Sequence, residues 1–255
     1  MQSRPHLSLV VPVYNEQRCI RQNLQTVLAY LDAQSFPSEV VVVDDGSADQ
    51  TAAIVEELAL TRPSLRLIRN HHHGKAFTVR TGVLAASGDF VLFADADLAT
   101  PIHQTAKLLA AVEDGSDVAI GSREGYGARR VGEPWLRHFM GRVFNLVVRL
   151  FVMGGHKDTQ CGFKAFTQAA AQDIFRSVRL YGPDSPVLTT AALTGFDVEL
   201  LYLAHRKGYR VAEIPVEWHY GPGSKVNPLR DSWRNFRDVL RVRFNALRGF
   251  YDSVP

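Results

Sequence analysis

Short runs of Val, Ile, Leu and Phe punctuate the first half of the chain at Leu7 to Val13, Val40 to Val43, Leu65 to Ile68, Phe90 to Ala94 and Val118 to Ile120. Amphipathic stretches separate them. The runs are continuously apolar, as strands covered on both faces are, and their alternation with amphipathic stretches predicts βαβ units and an α/β fold around a mostly parallel sheet. Helices are expected near 16–32, 49–60, 75–86 and 102–113. Ser47 with Gln50 three residues on has the form of a capping box, and Thr100 before Pro101 that of a cap followed by proline in the first turn. Past Gly121 the alternation lapses into an amphipathic stretch from Trp135 to Met153, a strand near 163–166, a helix near 196–207, a strand near 210–216 and a final helix from Pro228. No repeat or linker divides the sequence, so a single domain is expected over residues 1–255.

Composition narrows the class. With 46% hydrophobic and 22% charged residues over 255 positions, disorder, collagen-like repeats and coiled coil are excluded. A chain of this length buries roughly 70–75% of its extended surface and needs no staples. Cys19 and Cys161 stand far apart and no amino-terminal leader is visible, so a reducing cytoplasm is expected. The most apolar segment, Val143 to Gly155, carries Arg149, which argues against a spanning helix and for a soluble or peripheral protein.

A net charge of +3 is too mild to indicate nucleic acid. Its distribution says more. Arg230, Arg234, Arg237, Arg241, Arg243 and Arg248 crowd the last helix against Asp231 and Asp238, while Trp233, Phe236, Leu240, Phe244 and Leu247 recur there at three- and four-residue steps. A basic amphipathic helix suits an anionic membrane surface; the alternative is a helix packed on the sheet with its arginines in water.

In an open α/β sheet ligands bind beyond the carboxyl ends of the strands. Here those ends read Pro12-Val13-Tyr14-Asn15-Glu16, Asp44-Asp45-Gly46-Ser47 and Asp95-Ala96-Asp97. Carboxylates converging on one edge repel one another unless a cation or donor groups neutralise them. Neither a G-x-G-x-x-G after the first strand nor a P-loop is present, so any nucleotide must be held otherwise. Asp95 and Asp97 have the spacing to place oxygens around Mg²⁺ or Mn²⁺ bridging a diphosphate. Equally, Asp97 could cap the next helix, and Asp44 with Asp45 could form an ordinary turn. His71, His72 and His73 are adjacent in a loop and are read as loop residues, and Cys161 as a small apolar group.

The ordered motifs V-V-P-V-Y-N-E, V-V-V-D-D-G-S, Gly74-Lys75, F-A-D-A-D, I-G-S-R ending at Arg123, Asp158-Thr159-Gln160-Cys161-Gly162-Phe163-Lys164, Gly195-Phe196-Asp197-Val198-Glu199-Leu200 and Gly223-Ser224-Lys225-Val226 span nearly the whole chain. In these the sequence resembles the family 2 glycosyltransferases of GT-A fold, and within them the dolichyl- or polyprenyl-phosphate β-glucosyltransferases. The resemblance implies a nucleotide-sugar-binding half, 1–121, and an acceptor- and membrane-facing half, 122–255, acting at the cytoplasmic membrane face. It implies that Pro12, Tyr14 and Glu16 line the uridine pocket with Asp44, Asp45 and Lys75 near the base, and that Asp95 and Asp97 hold ribose, diphosphate and metal. By the same resemblance Gln160 faces the donor sugar, and Arg123, Ser224 and Lys225 serve phosphate. Arg129, with Arg130 and Arg137 beside the amphipathic stretch 135–153, is expected near the acceptor phosphate, and Asp197 is the residue best suited as a base or orienting group, its alternative being a helix cap. Where mannose enzymes tend to read D-A-D-L-Q, this chain has Ala99-Thr100-Pro101, which tilts the implied donor from GDP-mannose to UDP-glucose, and the implied acceptor is a polyprenyl phosphate. A saccharide or other soluble alcohol acceptor, or a non-catalytic binding module, are the competing readings.

Overall fold

The computed structural model describes residues 4–135, 141–142, 155–182, 187, 195–221 and 228–252. The five apolar runs form β1 (Leu7–Val13), β2 (Ser38–Asp44), β3 (Leu65–Arg69), β4 (Phe90–Ala94) and β5 (Val118–Ser122). Between them lie α1 (Ile20–Asp32), α2 (Thr51–Thr61), α3 (Lys75–Ala85) and, after a 3₁₀ turn at Ile102–Gln104, α4 (Thr105–Glu113). The second half adds a short strand β6 (Arg129–Val131), then β7 (Phe163–Thr167), α5 (Gln168–Ser177), α6 (Phe196–Arg206), β8 (Val211–Pro215), β9 (Glu217–His219) and α7 (Pro228–Leu247).

The main sheet has the order β3-β2-β1-β4-β7-β5-β8. Only β7 runs antiparallel, wedged between β4 and β5. The chain leaves β1 toward β2 and returns on its other side at β4, so the switch point lies over the carboxyl end of β1. Successive β1 side chains serve opposite faces: Leu7, Leu9, Val11 and Val13 join α1 and α4 in one core, and Val10 joins α3, α5 and α6 in the other. On α1 the buried stripe is Ile20, Leu24, Val27, Leu28 and Leu31. Each such side chain contributes about 1.5–3 kcal/mol by leaving water, and Leu24→Ala would cost about 2–5 kcal/mol. Gly82 is required where α3 crosses the sheet, since a Cβ there would stand 2.3 Å from a Val10 methyl.

Both expected caps are corrected. Ser47 Oγ accepts from the Asn15 amide instead of capping, and Asp49 Oδ1 receives the Thr51 amide at 2.9 Å. Pro101 stays extended at ψ 137°, ahead of the 3₁₀ turn, and Thr100 Oγ1 faces Cys161 Sγ at 3.9 Å. Helix α1 starts four residues later than expected, at Ile20, because Asn15 turns the chain through left-handed φ 54°. The small parallel pair β6 and β9 had no sequence signal, each strand being three residues long. The amphipathic stretch expected over 135–153 falls almost entirely outside the described residues.

Candidate active site

Loops after β1 and β2 are laced together. Asn15 and Ser47, Gln17 and Asp49, and Glu16 with Thr51 exchange hydrogen bonds of 2.8–3.2 Å, which fixes the mouth of the switch point. Asp44 is buried; its Oδ2 takes the Ser47 amide at 3.1 Å, and its Oδ1 is left buried without a partner. An orphaned acceptor oxygen at a strand end suits a single donor such as a nucleobase N–H.

Asp45 serves the structure instead of a ligand. Its carboxylate receives His72 Nδ1 at 2.7 Å and the amides of His73 and Gly74, so it shapes the loop that starts α3. As the carboxylate only accepts, His72 donates from Nδ1, and its Nε2 is buried without a partner. The His72 ring stacks on Tyr14 with centroids 4.1 Å apart. Nothing in the sequence beyond a His triplet marked this role.

Lys75, expected near the base, is directed to Asp95 Oδ1 at 2.5 Å. Burial works against its ammonium, yet Asp95, Asp197 and Asp97 together raise its pKa. Asp97, though open at the surface, is hemmed in enough that loss of hydration, and then the Asp95 charge, push its carboxyl up. Its Oδ1 takes the Ala99 amide at 3.0 Å across Leu98, which is held at φ 51°. A bulky residue in that region costs energy that the surroundings must supply, a common mark of functional loops. The pair thus forms a local excess of negative charge, met here by Lys75.

The loop 158–162 and β7 carry the rest. Asp158, fully buried, holds Arg123 through Nε at 2.7 Å and Nη2 at 2.9 Å. Burial alone would lift the Asp158 carboxyl, but the Arg123 charge outweighs it and holds the group well below the usual range. Arg123, expected at a phosphate, is therefore committed to this loop. Gln160 donates its backbone N–H to Asp158 Oδ1, while Gly162 lies so close to Asp95 that a Cβ would stand 2.3 Å from Oδ2. Lys164, fully buried, donates to Asp197 Oδ1 and to the Cys161 carbonyl, each at 2.5 Å. Asp197 is one residue inside the turn that starts α6 and pairs with Lys164; the helix N-cap is Gly195, so the cap alternative is not realised. Cys161 is buried and burial pushes its thiol up to about 11, an inert state.

Arg129 lies on β6, its side chain exposed and 3.9 Å from Glu217. Ser224 and Lys225 lie outside the described residues. The structure thus gathers Asp44, Lys75, Asp95, Asp97, Gln160 and Asp197 around one sheet edge, and reveals Lys164 as the partner of Asp197, Asp158 as the anchor of the Gln160 loop and His72 as the partner of Asp45 ahead of Lys75.

Comparison with known proteins agrees with this geometry. The dolichyl-phosphate beta-glucosyltransferase of Dictyostelium discoideum is 32% identical over 96% of this chain and 76% of its own length. That of Saccharomyces cerevisiae is 35% identical with the same coverages. Among solved structures, glucosyl-3-phosphoglycerate synthase from Mycobacterium tuberculosis, in complex with Mn²⁺, UDP-glucose and phosphoglyceric acid, superposes with a TM-score of 0.63. It covers 99% of this chain and 81% of that one at 17% identity, which establishes the GT-A fold. The model of the glycosyl transferase family 2 matches residues 8–175, the stretch that carries the acidic strand ends and the loop of Gln160, and the chain belongs to that family.

Proposed function

We propose that the chain transfers glucose from UDP-glucose to a polyprenyl phosphate at the cytoplasmic face of a membrane, with inversion. The observation that carries this reading is the convergence of Asp44, Asp95 and Asp97 on the edge reached by Gln160 and Asp197. Dolichyl-phosphate β-glucosyltransferases as relatives supply the substrate classes.

Asp44 Oδ1 would accept the uracil N–H, with Tyr14 and His72 forming the aromatic wall and Pro12 and Glu16 the strand-end rim. Asp95 and Asp97 fit a divalent cation, Mg²⁺ or Mn²⁺: two carboxylates at a strand end already draw a positive group, and loss of hydration, then the Asp95 charge, push the Asp97 carboxyl up. Among the described residues no third His, Cys, Asp or Glu completes a cluster, which leaves coordination positions to a diphosphate. When bound, the cation would neutralise the charge on the departing diphosphate.

The acceptor phosphate oxygen forms the new bond to the anomeric carbon as the bond to the diphosphate breaks on the opposite face. That acceptor is anionic near neutral pH, so no strong base is needed. Asp197, with Oδ1 committed to Lys164, is an orienting group. Arg129, exposed and only loosely tied to Glu217, would meet the acceptor phosphate, and Lys225 with Ser224 would add to it.

Helix α7 supports the membrane location. Val239 and Val242 are buried toward the protein, while Leu240, Phe244 and Leu247 are 42%, 52% and 71% exposed, among the exposed Arg237, Arg241 and Arg248. Among the described residues no helix is long and apolar enough to cross a membrane. The test is incubation with membranes, Mg²⁺ or Mn²⁺ and each labelled nucleotide-sugar in turn. Glucose label from UDP-glucose should enter the lipid fraction; label from GDP-mannose alone, or transfer only to soluble acceptors, would overturn the proposal.

A further inference from the structure

Helix α7 reaches the donor site as well as the surface. Gly195 lets it do so: a Cβ there would meet Asp238 Cβ at 3.3 Å and the Asn235 carbonyl at 3.4 Å, so the helix backbone lies directly on the start of α6. Asp238 secures the contact, accepting from the Gly195 amide at 3.1 Å and the Tyr181 hydroxyl at 2.7 Å. One turn earlier on α7, Asn235 Nδ2 donates to Gln160 Oε1 at 3.4 Å.

That contact uses one polar atom of each amide and leaves the others idle. Gln160 Nε2 and Asn235 Oδ1 are both buried and have no partner. Whichever amide donates to the other, one NH2 group and one carbonyl oxygen remain without a partner, because each amide carries one of each. Buried amides are normally satisfied, so an unmatched pair on two elements points to a ligand. The missing partner must accept at one point and donate at a neighbouring one. Adjacent hydroxyls of a sugar do both. A phosphate offers only acceptors and would face the Asp238 carboxylate one turn along α7.

The location agrees with a sugar. Gln160 lies two residues before Gly162, which presses on the Asp95 carboxylate, and its neighbour Cys161 shares Lys164 with Asp197. The amide pair therefore adjoins the diphosphate end of the site. We propose that Asn235, with Gln160, binds two neighbouring hydroxyls of the donor hexose, so that the carboxyl-terminal helix sets sugar specificity. This rests on the reading of the site as one for a nucleotide-sugar.

The test compares each nucleotide-sugar with its own nucleoside diphosphate by calorimetric titration in Mn²⁺. Asn235→Ala should weaken UDP-glucose about tenfold, the loss of one hydrogen bond with its partner left buried, while UDP binding changes less than about twofold. Discrimination between UDP-glucose and UDP-galactose should shrink in parallel. Gln160→Ala should do the same, and the double variant should lose less than the sum. Equal losses for UDP and UDP-glucose, or no loss for either, would refute the proposal. Asn235→Ser carries the test if the alanine variant melts early. If the wild type instead binds GDP-mannose and GDP, the donor assignment fails, and the same comparison on that pair still decides the role of Asn235.

Discussion

Lys164 Nζ lies 2.5 Å from Asp197 Oδ1, and the lysine is wholly removed from solvent. Phe93 covers the ammonium from one side at 5.6 Å. Removing one partner of such a pair strands the other charge, at a cost of about 3–5 kcal/mol. Lys164→Met should therefore lower Tm by roughly 10 °C and abolish transfer. The double variant Lys164→Met with Asp197→Leu should recover much of the Tm and none of the activity. Calorimetry with a transfer assay separates the two effects, and recovery of transfer in the double variant would remove Asp197 from the mechanism.

Asp97 stands in the opposite situation, since its ionised form is disfavoured by its surroundings. Asp97→Asn should cut turnover roughly 100-fold, corresponding to about 3 kcal/mol of lost diphosphate stabilisation. In EDTA the variant should melt no lower than the wild type, because a repelling charge is gone. Added Mn²⁺ should raise Tm in the wild type and leave the variant unmoved.

Glu199 gives a pH signature. It is buried on α6, accepts the Arg179 and Leu180 amides and the Tyr251 hydroxyl, and burial raises its pKa from 4.5 to about 7. The folded state thus holds a proton that the unfolded chain releases. This stabilisation is complete below pH 4.5 and is lost as pH rises to about 7. Glu199→Gln should flatten that decline in urea titrations across this window, and an unchanged slope would locate the proton elsewhere.

The exposed row of α7 predicts salt-dependent membrane binding. Wild-type protein should float with anionic liposomes at low salt and release at high salt, each arginine near the surface contributing about 1 kcal/mol. Arg237→Gln with Arg241→Gln should bind more weakly, and Leu240→Ser with Phe244→Ser should lose binding that salt does not control. Failure of the wild type to float at low salt would confine α7 to its packing role.

Periodicity located the main strands because both faces of the sheet are covered and their apolar runs are long. It missed β6 and β9, which are too short for a period to develop. The acidic strand ends were legible as chemistry, since like charges at one edge demand an explanation. What held them was not. Lys75, expected near the base, is the cation that meets Asp95, and the His triplet gave no sign that His72 would hold Asp45. Likewise only the fold shows Lys164 buried under Asp197 and Arg123, expected at a phosphate, spent on Asp158. Asn235 was hidden for a related reason: it sits on a helix whose arginines drew attention to solvent, while its own side chain turns to Gln160.

The antiparallel β7 has a consequence for how the molecule comes into being. It is the strand that joins β4 to β5, yet it follows β5 in the chain by some forty residues. A nascent polypeptide emerging from the ribosome therefore exposes two open strand edges until residues 163–167 arrive to close the gap, and such edges invite pairing with other chains. The same segment brings Lys164, with Gln160 just ahead of it. Closure of the sheet and assembly of the Gln160 and Lys164 part of the candidate site are thus one event, and a chain stopped at residue 121 should neither fold nor bind UDP-glucose.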